Sequence, residues 1–206
     1  VTRGPELHVQ FGFFIGGNVN STANQDGNGT VGGFRYDKRT IGLHWAGATL
    51  VVLLWCIGQS IDWFPKGAPR ISARSTHIVI GALLILLLLF RIWWRSTGGR
   101  KLPASAYDTQ QKIASWTHVG IYLLLLVTVS LGVANVWVRG DTVFHLFTVP
   151  AFDPANDDLR EQVEDTHALL ANTVAVVAAL HAAFALYHHF VRRDGVLRRM
   201  LRAPAP

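Results

Sequence analysis

Four histidines lie in stretches that otherwise hold almost no polar group. His167 and His181 belong to THALLANTVAVVAALHAAFALYHHF, His44 to GLHWAGA and His77 to STHIVIGALLILLLLF. Histidine is costly in hydrocarbon unless something binds it, so each of them asks for a partner. His167 and His181 are fourteen residues apart. On a helix that is roughly 21 Å of rise and about 40° short of whole turns, so the two share one face at different depths. An i, i+4 pair would suit one metal ion on one helix; this spacing suits two separate ligand sites. Partners must come from other segments at matching depth. His77 is three residues past Arg74 and His167 two past Asp165, which pairs them near one boundary. His181 is 16 residues from Asp165 and His44 is 18 from Asp62, against 21 between His118 and Arg139, so His44 suits His181 better. Zinc ordinarily takes three or four protein ligands, and no cysteine or carboxylate lies at these depths. Haem takes two axial ligands, brings its own apolar surface and sits between helices. A lone histidine could simply hydrogen-bond between helices. Four that pair by depth point instead to two haem b groups, on His77–His167 and His44–His181.

The segments that carry these residues fit a membrane. Half of the 206 residues are hydrophobic and the mean hydropathy is +0.27. The apolar content falls in four blocks, 41–61, 75–94, 113–138 and 166–191, broken only by Arg91. Each is near the ~20 residues that cross a bilayer core, so the expected fold is all-α, an integral membrane four-helix bundle. The net charge of +6 follows the topology. Basic residues precede block one (Arg35, Lys38, Arg39), link blocks two and three (Arg95, Arg100, Lys101, Lys112) and follow block four (Arg192, Arg193, Arg198, Arg199, Arg202), whereas 139–165 is acidic. Both termini and the 2–3 loop are therefore expected in the cytoplasm, with the 1–2 loop outside despite Lys66, Arg70 and Arg74. Basicity distributed in this way argues against nucleic acid as a partner and for membrane lipid. The single cysteine, Cys56, permits no internal disulfide, and no C-x-x-C-H run attaches haem covalently. Residues 1–34 read as a mobile Gly/Asn-rich leader and 35–206 as the membrane domain. The leader lacks the basic region and long apolar core of a signal peptide.

The stretches RYDKRTIGLHW, STHIVIGALLILLLLFRIWWR, SWTHVGIYLLLLVTVSLGVANVW and THALLANTVAVVAALHAAFALYHHFVRRDGVLRRML together cover roughly 35–202. With these residues the chain resembles the bacterial di-haem cytochrome b561 family, superoxide oxidase type. The resemblance places axial ligands at His44, His77, His167 and His181, the four that depth selects. It also implies a multi-pass protein of the bacterial inner membrane, a membrane oxidoreductase that takes electrons from superoxide outside and gives them to ubiquinone near the cytoplasmic side. Two imidazoles fill both axial positions, which suits passing one electron at a time. Lys66, Arg70 and Arg74 could draw in an anion at the outer end. His188, seven residues past His181 on the same face, is the first candidate to bond or protonate a quinone carbonyl. His118 is a second candidate, with Arg192 and Arg193 close by, while His189 reads as an interfacial residue. Arg91, inside its block, reads as a haem-propionate partner, and Arg95 as either that or a snorkelling cation. A competing class is the haem-bearing membrane anchor of a larger dehydrogenase or hydrogenase, with a partner redox subunit; the short loops favour a self-contained enzyme. A transporter would need broken helices and an inverted repeat, which the sequence lacks.

Overall fold

In the computed structural model, residues 37–98, 108–193 and 197–201 are described; the 1–34 leader lies outside them. Helix α1 (Lys38–Ser60) begins where Asp37 accepts a hydrogen bond from the Thr40 amide at 2.8 Å, satisfying one of the free N–H groups of the first turn. A 3-10 turn, Ile61–Trp63, closes it. Helix α2 (Ala68–Thr97) starts after Gly67 at φ 101°, with proline in its first turn, where the missing amide costs nothing. Helix α3 runs Asp108–Arg139. After it come two short antiparallel strands, β1 (Thr142–Val143) and β2 (Phe147–Thr148), with Thr142 opposite Thr148. Helix α4 (Asp157–Tyr187) is capped by Asn156, which accepts from the Leu159 amide at 2.9 Å, and carries Asp157 and Asp158 in its first turn, as the helix dipole favours. It ends in a π turn, His188–Arg192. A last turn, α5 (Arg198–Leu201), is tied to α1 by the Trp45 indole, which donates to the Met200 carbonyl at 2.8 Å.

Four helices are long and apolar enough to cross a membrane. They are longer than the charge-free blocks, because capping and propensity end a helix whereas the first charge does not. The chain folds as two antiparallel hairpins, α1 on α2 and α3 on α4, set side by side in a four-helix bundle. Gly47, Leu84, Leu88, Thr128 and Val174 line the buried interior, while Leu86, Leu89, Leu123, Leu180 and Phe184 face outward, as a lipid-facing surface requires.

The α3–α4 connection folds back onto α2. Ser75 is fully buried; its hydroxyl accepts from the Phe144 amide at 2.8 Å and donates to the Ile71 carbonyl at 2.7 Å. Between the strands, Phe144 and His145 take φ of 47° and 60°, the mirror-image turn that matches strand twist but that non-glycine residues adopt at a cost. The Ser75 contact pins that turn against the outer end of the bundle.

Candidate functional site

The bundle brings together the histidines that depth had paired. The rings of His44 on α1 and His181 on α4 have centroids 6.4 Å apart. Those of His77 on α2 and His167 on α4 are 6.3 Å apart. Each pair therefore takes one ring from each hairpin, and α4 contributes to both. Two imidazole–metal bonds of about 2 Å each, end to end and with half a ring added on either side, span roughly 6 Å between centroids. The spacing in both pairs fits one iron between two imidazoles.

The surroundings of the α2–α4 pair fit the same group. His167 Nδ1 lies 3.1 Å from the Thr128 carbonyl. A carbonyl only accepts, so Nδ1 carries the proton and Nε2 keeps its lone pair for a metal; such a backbone partner typically fixes a ligand's tautomer. His77 Nδ1 is buried without a hydrogen bond of good geometry, the Leu54 backbone lying close to it. A glycine backs each ring. A Cβ on Gly132 would stand 3.1 Å from His167 Cε1, and one on Gly58 would stand 3.3 Å from His77 Cε1. Hydrogen in place of a side chain lets these rings lie flat against the neighbouring helix.

The other pair has a cation beside it. Arg91 Nη2 is 3.3 Å from His44 Nδ1, and its guanidinium lies 5.3 Å from the Tyr122 ring centroid. Guanidinium only donates, so His44 Nδ1 accepts and the ring's proton sits on Nε2. Iron at Nε2 requires the opposite tautomer. Loading that pair therefore frees Arg91, leaving a half-buried cation in need of another acceptor, and a haem carboxylate would supply one. His118 stands close as well, its ring centroid 5.6 Å from that of His181. Among the described residues no group of three or more His, Cys, Asp or Glu is placed to hold a bare metal ion.

The outer cations are more tied down than their sequence suggests. Lys66 is exposed. Arg70 pairs with Asp62 at 3.2 Å and donates to the Phe64 carbonyl at 2.8 Å, so it closes the α1–α2 turn. Arg74 reaches Asp141 at 3.3 Å; Asp141 also meets Arg139, which in turn pairs with Glu164. This chain of charges joins α2, the end of α3 and α4. Burial pushes the Asp141 carboxyl above its ordinary range, and Arg139 and Arg74 pull it back only in part. At the opposite end, His188 opens the π turn and lies between Phe184 and Tyr187, with ring centroids 6.1 and 6.0 Å away. His189 stacks edge-on against Phe190, Arg192 and Arg193 close the turn in exposed positions, and Arg95 is exposed on the last turn of α2. Sequence reasoning missed Gly58, Gly132, Thr128 and the Asp141 network. A glycine inside an apolar span is too common a pattern to single out.

The family model described as prokaryotic cytochrome b561 matches residues 35–203. The chain is 30% identical over 172 residues to cytochrome b561 homolog 1 of Escherichia coli (strain K12), covering 81% of this chain and 97% of that protein. It is likewise 30% identical over 172 residues to the probable superoxide oxidase CybB of Yersinia pestis, covering 81% and 96%. To cytochrome b562 of Cereibacter sphaeroides it is 27% identical over 172 residues, covering 81% and 95%.

Proposed function

Because the chain belongs to the prokaryotic cytochrome b561 family, whose members are multi-pass bacterial membrane proteins that move electrons on haem b, we propose that it oxidises superoxide at one face and reduces ubiquinone near the other. The observation that carries this reading is the pair of histidine pairs, 6.3 and 6.4 Å across, set at two depths between the same two hairpins. His77 with His167, and His44 with His181, would hold two haem b groups, and Arg91 would neutralise a carboxylate of the second. Bound there, each haem supplies one-electron transfer with no open position for oxygen. The superoxide oxidase name of the Yersinia pestis relative supports the choice of donor.

The chain's own residues then do three things. At the outer end, exposed Lys66 is the cation left to meet an anion, since Asp62 holds Arg70 and Asp141 holds Arg74. Between the ends, the hairpins hold His44, His77, His167 and His181 half-buried. At the inner end the His188 ring, at the start of the π turn, would face a docked quinone carbonyl. Two superoxide anions give up one electron each and leave as dioxygen; one quinone takes both electrons and two protons to become quinol. The test is anaerobic mixing of the purified protein with superoxide, with and without ubiquinone, read at the haem absorbance. Superoxide should reduce the protein and added quinone should reoxidise it. His188→Ala should retain both haems and the reduction step but slow reoxidation about tenfold or more, as the loss of a general acid does. Failure of superoxide to reduce the wild-type protein would end the proposal.

We place the acidic 139–165 segment outside and the chain's end in the cytoplasm of a bacterium's inner membrane, as the basic clusters require. A periplasm-dependent reporter fused after Pro206 should be silent, and a cytoplasm-dependent one active. The reverse pattern would invert the donor and acceptor faces.

A further inference from the structure

Where α1 meets α4, inside two of the spanning segments, Trp55, Gln59 and Asn172 form a polar cluster. The Trp55 indole N–H donates to Asn172 Oδ1 at 3.0 Å, and Gln59 Nε2 donates to the same oxygen at 3.0 Å. An indole nitrogen can only donate, so the Asn172 atom facing it is the carbonyl oxygen. The Gln59 atom facing that oxygen must then be the amide nitrogen. Trp55 thus fixes the orientation of both amides, and with it what they present outward: Asn172 Nδ2 as a donor and Gln59 Oε1 as an acceptor. Both side chains are exposed on the bundle surface, and among the described residues neither of those atoms has a hydrogen bond.

Asn172 is five residues beyond His167 toward His181, roughly 7.5 Å deeper and turned about 140° from the His167 direction. The cluster is therefore aimed away from the histidine pairs, toward the outer end of the bundle, where Gln59 lies three residues before Asp62. A donor beside an acceptor suits a hydroxyl, which accepts from one and donates to the other; a carbonyl would leave Gln59 Oε1 unpaired. Apolar walls flank the amides. Val176, one turn from Asn172, is 59% exposed, and Val52, one turn from Trp55, is 58% exposed.

We propose that Trp55, Gln59 and Asn172 form a binding site for the hydroxyl group of a lipid-soluble molecule, either the ring hydroxyl of a quinol or the free hydroxyl of a diacylglycerol. The site does not rest on the electron-transfer route. Anaerobic calorimetric titration of the haem-loaded protein with decylubiquinol, decylubiquinone and dioctanoylglycerol tests it. Decylubiquinol should bind more tightly than decylubiquinone. Gln59→Met removes the outward acceptor but keeps the Trp55–Asn172 bond; it should weaken decylubiquinol about tenfold, the worth of one good hydrogen bond, and leave decylubiquinone unchanged. Asn172→Leu should weaken both. Dioctanoylglycerol that displaces decylubiquinol, and does so in a Gln59-dependent way, supports the site and assigns its source to lipid; failure to displace assigns it to quinol. Unchanged decylubiquinol affinity in Gln59→Met overturns the proposal. So does haem loss in that variant, which would make the cluster part of the haem cradle. Binding is read rather than turnover, so a failure here leaves the superoxide reading standing, and the converse holds.

Discussion

Replacing His181 with alanine is expected to remove one haem and leave the other with its low-spin spectrum intact. The His181 ring faces His44 across 6.4 Å, and among the described residues α4 carries no other histidine at that depth. The other pair lies roughly 21 Å away along the same face of α4, too far for the lost ring to disturb it. Haem per polypeptide, measured by pyridine haemochrome, should therefore fall from two to one. Two haems surviving with unchanged spectra would sink the assignment of both pairs, because His181 would then not be a ligand. His44→Ala is a less clean experiment. The His118 ring already stands 5.6 Å from His181, so it can take the place that His44 leaves, and only the double variant His44→Ala/His118→Ala should match His181→Ala.

The second large effect is expected from a residue with no functional group. Gly132→Val should empty the α2–α4 pair while sparing the α1–α4 pair. A Cβ at Gly132 would stand 3.1 Å from His167 Cε1, and the two methyls of valine would press further into the ring. His167 cannot easily swing aside, since its Nδ1 is held to the Thr128 carbonyl at 3.1 Å. Overpacking of this kind costs about 1–3 kcal/mol, which is roughly a five- to hundredfold loss of affinity for whatever His167 binds. Gly120→Val is the matched control, because nothing lies within 4 Å of a Cβ there. Haem titration of the two variants decides the matter, and equal affinity in both would show that the glycine is not part of the cradle.

The contrast between these two predictions marks how far the sequence could be read. Charge-free runs located all four spanning helices, because lipid excludes charge as firmly as it excludes bare backbone. They misplaced the ends. Helix α2 begins at Ala68 and α4 at Asp157, well before the blocks at 75 and 166, since Asn156 and the proline after Gly67 start helices in the interface where charges are welcome. Counting residues from a charged boundary gives depth along one helix, and depth was enough to bring His44 to His181 and His77 to His167. It says nothing of lateral position, so it ranked His118 behind His44 without seeing that both rings approach His181. Gly58, Gly132 and the Thr128 carbonyl act through shape and backbone, which have no residue-type signature. The β1–β2 strap was equally hidden. Its turn residues are Phe144 and His145, not the asparagine and glycine that announce such a turn, and they hold positive φ because Ser75, 69 positions away in the chain, accepts the Phe144 amide. The Arg74–Asp141 pair likewise joins residues 67 positions apart, so the outer cations looked freer in one dimension than they are in three.

Each histidine pair takes one ring from α1–α2 and one from α3–α4, and this has a bearing on how the protein comes into being. Each hairpin can enter the bilayer as synthesis delivers it, its helices satisfied by their own backbone bonds. What joins the halves is thinner: the α1–α4 and α2–α3 seams, the β1 strap on α2, the charge chain around Asp141, and whatever the paired rings hold between them. A ligand that binds only when both halves are together adds its binding free energy to their association. With the ligation proposed above, the cofactor would be a clamp closed late in assembly, and its supply would set how much newly made chain matures rather than remaining as two halves open to membrane proteases.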